Sequence, residues 1–117
     1  MLFIKIFILI AICTVYIQAQ LADRLSRKYC SSGNQAALRF CAMENNAGIV
    51  LDIFRNCVLQ FKKFYTLHEM SEYICNNING EEFVRYKKCA EPALTSAAER
   101  DEKFLPILDN CLAVYND

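Results

Sequence analysis

Glycine and proline are scarce in this chain, with three glycines and two prolines among 117 residues. The sequence has no Gly-rich phosphate loop, no G-x-S-x-G elbow and no H-E-x-x-H zinc motif. It also has no N-x-S/T sequon, so we do not expect N-glycosylation. Thirteen basic and thirteen acidic residues balance one another, which argues against nucleic-acid binding and against a cationic membrane-lytic peptide.

The first twenty residues, MLFIKIFILIAICTVYIQAQ, carry one positive charge at Lys5, followed by an apolar run from Ile6 to Ile17. The run is too short to span a bilayer and ends in small and polar residues, as secretory signal peptides do. The sequence therefore predicts a signal peptide over residues 1–19, with cleavage after Ala19. An uncleaved membrane anchor is the alternative. No later stretch could cross a membrane, so we expect residues 20–117 to be secreted and extracellular.

Removing residues 1–19 also removes Cys13, and the seven cysteines of the chain become six. An even number of cysteines behind a signal peptide predicts three disulfides formed in an oxidising compartment. A zinc site is the alternative, but it needs closely spaced cysteine pairs, and the nearest two cysteines lie far apart in the sequence. The predicted half-cystines are Cys30, Cys41, Cys57, Cys75, Cys89 and Cys111.

The apolar residues of the central segment recur with helical spacing. In IVLDIFRNCVLQFKKFY, apolar side chains share one broad face and charged side chains the other. In TLHEMSEYICNNING, Thr66 and Glu69 form a capping box, and Gly80 suits the position after the helix end. These two segments predict an antiparallel helical hairpin near residues 49–79, with a tight turn at Tyr65 and Thr66.

Other segments are helical by the same criteria. Ser32 and Gln35 form a capping box that would open a helix. EEFVRYKKCA predicts a short helix ended by Pro92, and the last segment predicts a polar piece near 96–103 and an amphipathic helix near 105–115. Because no segment alternates with a period of two, we expect an all-α fold. The predicted architecture is a single cysteine-rich domain, a disulfide-stapled bundle of about four to six helices.

Spacing within the predicted hairpin favours a disulfide between Cys57 and Cys75. If the turn lies at Tyr65 and Thr66, both cysteines stand about 12 to 14 Å from it, at nearly the same height on the two helices. The bridge would close a loop of about nineteen residues and contribute on the order of 3 kcal/mol. The pairing of the other four cysteines stays open.

The only histidine, His68, lies beside Glu69 and one turn before Glu72. The N-terminus of a helix disfavours a positive charge, which argues against an imidazolium role. Metal binding by one histidine and glutamates alone would be weak, and the cysteines that could act as nucleophiles are expected to be bridged. We interpret His68 as a surface residue, and we predict a non-enzyme without catalytic residues, metal site or cofactor.

The chain combines a predicted signal peptide with six widely spaced half-cystines on helices. In this respect it resembles small secreted proteins of arthropods, including venom and haemolymph components. The resemblance implies secretion, and it carries over no functional residue. The chain departs from insect odorant-binding proteins, which have a short gap between two of their cysteines. It also lacks the close cysteine pair of saposin-like proteins.

Three classes of function follow from this interpretation. The first is a factor that binds an extracellular protein target, such as a venom or salivary component. The second is a carrier that holds a small apolar ligand between its helices, and the third is a small secreted hydrolase. The candidate ligand-lining residues are Phe40, Met43, Phe54, Phe61 and Met70. The sequence does not indicate the oligomeric state.

Overall fold

The computed structural model describes residues 4–6 and 20–115, so most of the predicted signal peptide lies outside the described residues. Residues 4–6 are helical, and residues 20–115 form six α-helices without a β-strand, which confirms the all-α prediction. The six helices are α1 (Leu21–Ser31), α2 (Gln35–Glu44), α3 (Ile49–Leu59), α4 (Leu67–Asn76), α5 (Glu81–Arg100) and α6 (Phe104–Tyr115). In this part of the chain, no helix combines the length and apolarity needed to cross a bilayer.

All six helices contribute side chains to one hydrophobic core. The closest packing is between α3 and α5, between α2 and α6, and between α1 and both α4 and α5. The most deeply buried large apolar side chains of the core are Val58, Met70, Tyr86, Leu94 and Phe104. Burying each of them stabilises the fold by about 1.5–3 kcal/mol relative to exposure. The first three helices thus pack mainly against the last three.

Helix α5 continues through Pro92, so the prediction that this proline ends the helix is wrong. A proline inside a helix removes one backbone hydrogen bond and crowds the preceding turn. Here Pro92 is exposed, whereas Ala90 and Leu94 on the opposite face are completely buried. Burial of that apolar stripe outweighs the local cost of the proline. The predicted polar piece near 96–103 is therefore mostly the last turn of α5.

The ends of α2 and α4 differ in part from the predicted caps. Thr66 does cap α4, because its Oγ1 accepts a hydrogen bond of 3.1 Å from the Glu69 amide. Asn34 caps α2 in place of Ser32, and its side chain accepts from the Ala37 amide at 3.1 Å. The predicted capping box at Ser32 is wrong, because its Oγ accepts from the Asn34 amide at 3.1 Å and donates to the Tyr115 carbonyl at 2.7 Å.

The predicted hairpin is present, with a longer connection than expected. Helices α3 and α4 follow one another and pack together. Helix α3 ends at Leu59, and residues 60–66 form a connector rather than a tight turn at Tyr65. Gly80 does not terminate α4, which ends at Asn76. Gly80 is the N-cap of α5 instead.

Three disulfides join the helices, and all six predicted half-cystines take part. The pairs are Cys30–Cys75 between α1 and α4, Cys41–Cys111 between α2 and α6, and Cys57–Cys89 between α3 and α5. The Cα atoms of each pair lie 5.3, 5.9 and 5.6 Å apart respectively, within the usual disulfide range.

The predicted Cys57–Cys75 bridge is wrong. The prediction assumed that the helix of Cys57 runs on to Tyr65, but α3 ends at Leu59. The heights of the two cysteines above the turn therefore do not match as assumed. Helix α3 packs most closely on α5, and Cys57 is buried against that neighbour and bridged to it. Cys75 is half-buried near the end of α4, where it meets α1.

Candidate interaction surface

His68 lies on the exposed face of α4, and 73% of its side-chain surface is accessible to solvent. Its Nε2 lies 2.9 Å from Oε1 of Glu72, one turn further along the same helix. Glu69, the other neighbouring carboxylate, is used in the cap of α4, where Oε2 accepts from the Tyr65 amide at 3.1 Å. The imidazole is thus held by its own helix at the surface. The described residues contain no group of three or more His, Cys, Asp or Glu placed to hold a metal ion.

A polar cluster in the core joins α1, α2 and α4. Oγ of Ser71 lies 2.5 Å from the hydroxyl oxygen of Tyr29, and Nη1 of Arg39 donates to both oxygens, at 2.8 Å to Tyr29 and 3.2 Å to Ser71. The Ser71 hydroxyl donates its own proton to the Leu67 carbonyl at 2.9 Å. The serine oxygen thus accepts hydrogen bonds from a guanidinium and a phenol, while its own proton points to a backbone carbonyl. The cluster therefore holds three helices together rather than activating a nucleophile.

Two tyrosines have strongly raised pKa values. Burial raises the pKa of Tyr86, which lies in the core with its hydroxyl 3.4 Å from Oγ of Ser26. Desolvation, together with a hydrogen bond of 2.6 Å to Glu82, raises the pKa of Tyr73 to about 12. Both phenols therefore stay protonated at neutral pH, and each joins its own helix to another.

The interface between α1 and α5 carries a cluster of charges. Partial burial opposes ionisation of Asp23, but hydrogen bonds from Lys87 and Arg27 outweigh it and lower the pKa of this carboxyl. The Lys87 ammonium lies 3.1 Å from Asp23 and 5.0 Å from the centroid of the Phe83 ring. The Arg27 guanidinium lies 5.6 Å from the same ring. These charges are paired within the fold, which gives them a structural role.

A small apolar cavity lies between α1, α2, α3 and α6, with a volume of about 40 Å³. Ligand pockets are usually about 300–1,000 Å³, so this space suits a group of a few atoms at most. Phe54 lines the cavity, whereas Met70 lies elsewhere in the core. Phe40, Met43 and Phe61 are all exposed to solvent. The five predicted ligand-lining side chains therefore do not surround one cavity.

The exposed apolar residues near the junction of α2 and α3 form a surface of their own. Phe40, Met43 and Ile49 are 57%, 51% and 46% exposed, and we call these three residues the α2–α3 surface. Phe40 and Met43 are one turn apart on α2 and share a face. The chain then reverses at Asn46, whose φ of 65° is left-handed. Met43 lies against Gly48, where an added Cβ would be 3.6 Å from Met43 Cγ, so the neighbouring Ile49 begins α3 beside it.

The sequence does not reveal this surface, because apolar residues occur all around α2 and do not mark which of its faces stays exposed. In the structure α2 buries only Leu38 and Ala42 fully. The other apolar side chains of α2 are therefore half-buried or exposed. The exposure of Phe61 was also missed, because it was assigned to a helix that in fact ends at Leu59.

Comparison with protein-family models, with curated proteins and with solved structures gave no match to this chain. No residue role is therefore carried over from a relative, and a function must be argued from the chain itself.

Proposed function

We propose that this chain is a secreted, non-enzymatic protein that binds an extracellular protein target through the α2–α3 surface. The observation that carries the proposal is the exposure of three large apolar side chains, Phe40, Met43 and Ile49, at the junction of α2 and α3. Three intramolecular disulfides are consistent with an extracellular location. A venom or salivary role is a narrower form of the same proposal.

The composition of the α2–α3 surface supports binding to a protein. Aromatic residues and methionine are enriched in protein–protein interfaces, and adjoining exposed apolar side chains often mark such sites. Phe40 can insert its ring into a pocket on a partner, and the flexible Met43 side chain can adapt to the surface around that pocket. The surface lies on the outside of a helix, which suits another macromolecule better than a small ligand.

The backbone beneath this surface is held rigidly. Cys41 lies between Phe40 and Met43 and is bridged to Cys111 on α6. Nδ2 of the Asn45 side chain donates to the Cys41 carbonyl at 2.7 Å and secures the last turn of α2. A surface that is fixed before binding loses less conformational entropy on association, which favours affinity.

The positions of two side chains capable of hydrolytic chemistry support the non-enzymatic part of the proposal. His68 and Ser71 are one turn apart on α4, but His68 is exposed and paired with Glu72, whereas Ser71 is buried. The proton of Ser71 is donated to the Leu67 carbonyl rather than to an imidazole. A serine nucleophile needs a neighbouring base that accepts its proton.

The carrier alternative depends on the cavity lined by Phe54. Its volume of about 40 Å³ is far below that of ligand pockets, so a carrier would have to expand its core on loading. We therefore expect organic extraction of the purified protein to yield no stoichiometric lipid. Recovery of one apolar molecule per chain would favour the carrier over the protein binder.

The binding proposal is tested by screening the labelled mature protein against an array of purified extracellular domains. We expect saturable binding to one or a few of them. A double variant, Phe40→Ser with Met43→Ser, should weaken that binding at least tenfold, while its circular dichroism spectrum stays that of the wild type.

A matched control is Val84→Ser on α5, where a similarly exposed apolar side chain lies outside the α2–α3 surface. We expect this variant to bind as the wild type does. Equal losses in the control and the double variant, or no loss in either, would show that the α2–α3 surface is not the binding site.

A further inference from the structure

Pairs of adjacent basic residues occur at three places in the chain. They are Arg27 with Lys28 in α1, Lys62 with Lys63 between α3 and α4, and Lys87 with Lys88 in α5. Each pair includes an exposed side chain, so exposure of charge does not distinguish them. The backbone conformation distinguishes the pairs, because only Lys62 and Lys63 lie outside a helix.

We propose that the connector of residues 60–66 is a proteolytic processing site. A serine endoprotease specific for paired basic residues would cleave after Lys63 and convert the chain into two disulfide-linked chains. The proposal does not depend on the binding function of the α2–α3 surface.

The backbone of the connector is free enough to enter a protease. Proteases of this kind bind their substrates as extended strands, so a helix must first unfold locally before it can be cut. The amides of Phe61 and Lys62 still bond back to Val58, each at 2.9 Å, as α3 ends. From Lys62 to Phe64 the backbone has no regular secondary structure. Cleavage here would break no helix.

The two lysines before the bond are exposed to solvent, whereas the residue after it is anchored in the fold. Lys62 and Lys63 are exposed, and the Lys62 ammonium lies over the Tyr73 ring, 5.5 Å from its centroid. Phe64 is half-buried and packed against the core. It would hold the start of the second chain in place after cleavage.

Every disulfide joins a cysteine before the connector to a cysteine after it. The cysteines before it are Cys30, Cys41 and Cys57, and their respective partners after it are Cys75, Cys111 and Cys89. Cleavage at any bond between residues 60 and 66 therefore leaves two chains joined by three bridges. The main helix packing also crosses it, because α1, α2 and α3 pack chiefly on α4, α5 and α6. The fold can thus persist as a two-chain protein.

The chemical step is hydrolysis of one peptide bond. Water adds across the Lys63–Phe64 amide, the C–N bond breaks, and the products are a carboxylate on Lys63 and an ammonium group on Phe64. No electron is transferred, and the unreduced protein gains the mass of one water molecule. The new ends lie in the connector, where no disulfide ties them to each other.

Limited digestion of the purified, oxidised mature protein tests the proposal, with a subtilisin-like endoprotease specific for paired basic residues. An enzyme of this specificity is used because Lys103, an exposed single lysine between α5 and α6, would also attract trypsin. We expect a product that is one water heavier without reduction. On reduction it should separate into two chains, the second of which begins at Phe64.

Two variants make the test specific. Lys63→Gln should slow cleavage at least tenfold, whereas Lys88→Gln, in the helical pair of α5, should leave the rate unchanged. First cleavage after Lys28 or Lys88, separation of the chains without reduction, or wild-type cleavage of Lys63→Gln would each overturn the proposal. So would resistance of the folded protein under conditions that cut the reduced, unfolded chain after Lys63.

Discussion

Replacing Pro92 with alanine should stabilise the protein, because α5 runs straight through this proline. Pro92 has no amide hydrogen, so the carbonyl of Lys88, one turn earlier, lacks its helical partner. The side chain of Pro92 is exposed, so little packing is lost on substitution. Alanine restores the missing hydrogen bond and removes the crowding of the preceding turn.

The size of the effect follows from two opposing contributions. Proline inside a helix is about 3 kcal/mol less favourable than alanine. Proline also restricts the unfolded chain, so its removal lowers the free energy of unfolding by about 0.4–1 kcal/mol through this effect. We therefore expect Pro92→Ala to raise the free energy of unfolding by about 2 kcal/mol, which corresponds to about 8–16 °C in Tm for a domain of this size.

Urea unfolding followed by far-ultraviolet circular dichroism measures this change, and the second proline supplies the control. Pro106 lies in the first turn of α6, where an amide has no helical acceptor in any case. Pro106→Ala should therefore leave stability unchanged or lower it slightly. If Pro92→Ala proves neutral or destabilising, α5 is not a continuous helix at this position and the reasoning fails.

Three further predictions concern the bridges, the core and the histidine. Replacing both Cys41 and Cys111 with alanine should lower the free energy of unfolding in urea by up to about 4 kcal/mol, because their separation of 70 residues closes the longest loop of the three. An unchanged urea midpoint would contradict this. Burial raises the pKa of Tyr86, so its contribution to stability is complete below the unfolded tyrosine pKa of about 10 and is lost as the pH rises further. Tyr86→Phe should flatten the alkaline decline of stability, and an identical decline in both proteins would refute the assignment. His68→Ala should change the free energy of unfolding by less than about 0.5 kcal/mol, because the ion pair of His68 with Glu72 is exposed. A clearly larger loss would show that this pair contributes to stability, against our interpretation.

Local patterns in the sequence predicted part of the local structure of this protein. The apolar spacing of residues 49–65 predicted a helix, of which α3 takes the first part, Ile49–Leu59, and the Thr66 cap marked the start of α4 within one residue. The even number of cysteines behind an apolar leader predicted three bridges, and all six residues take part. The helix and its cap depend on neighbours within one or two turns of chain, whereas the oxidation of the cysteines follows from their number behind the leader.

The candidate site could be predicted only in part. Phe40 and Met43 were selected for their apolar character, and both belong to the α2–α3 surface. Their exposure could not be predicted, because helical spacing shows which residues share a face but not whether another helix covers it. Ile49 was not selected, since its proximity to Met43 depends on the reversal of the chain at Asn46.

The sequence by itself determined that the chain is helical, where most helices begin, and which cysteines are oxidised. Only the tertiary structure decided that Cys57 pairs with Cys89, that α5 continues past Pro92 and that Phe40 is exposed. These outcomes depend on which helices pack together across long separations. Burial of apolar surface in a shared core can outweigh a local conformational cost of a few kcal/mol, such as that of a proline in a helix.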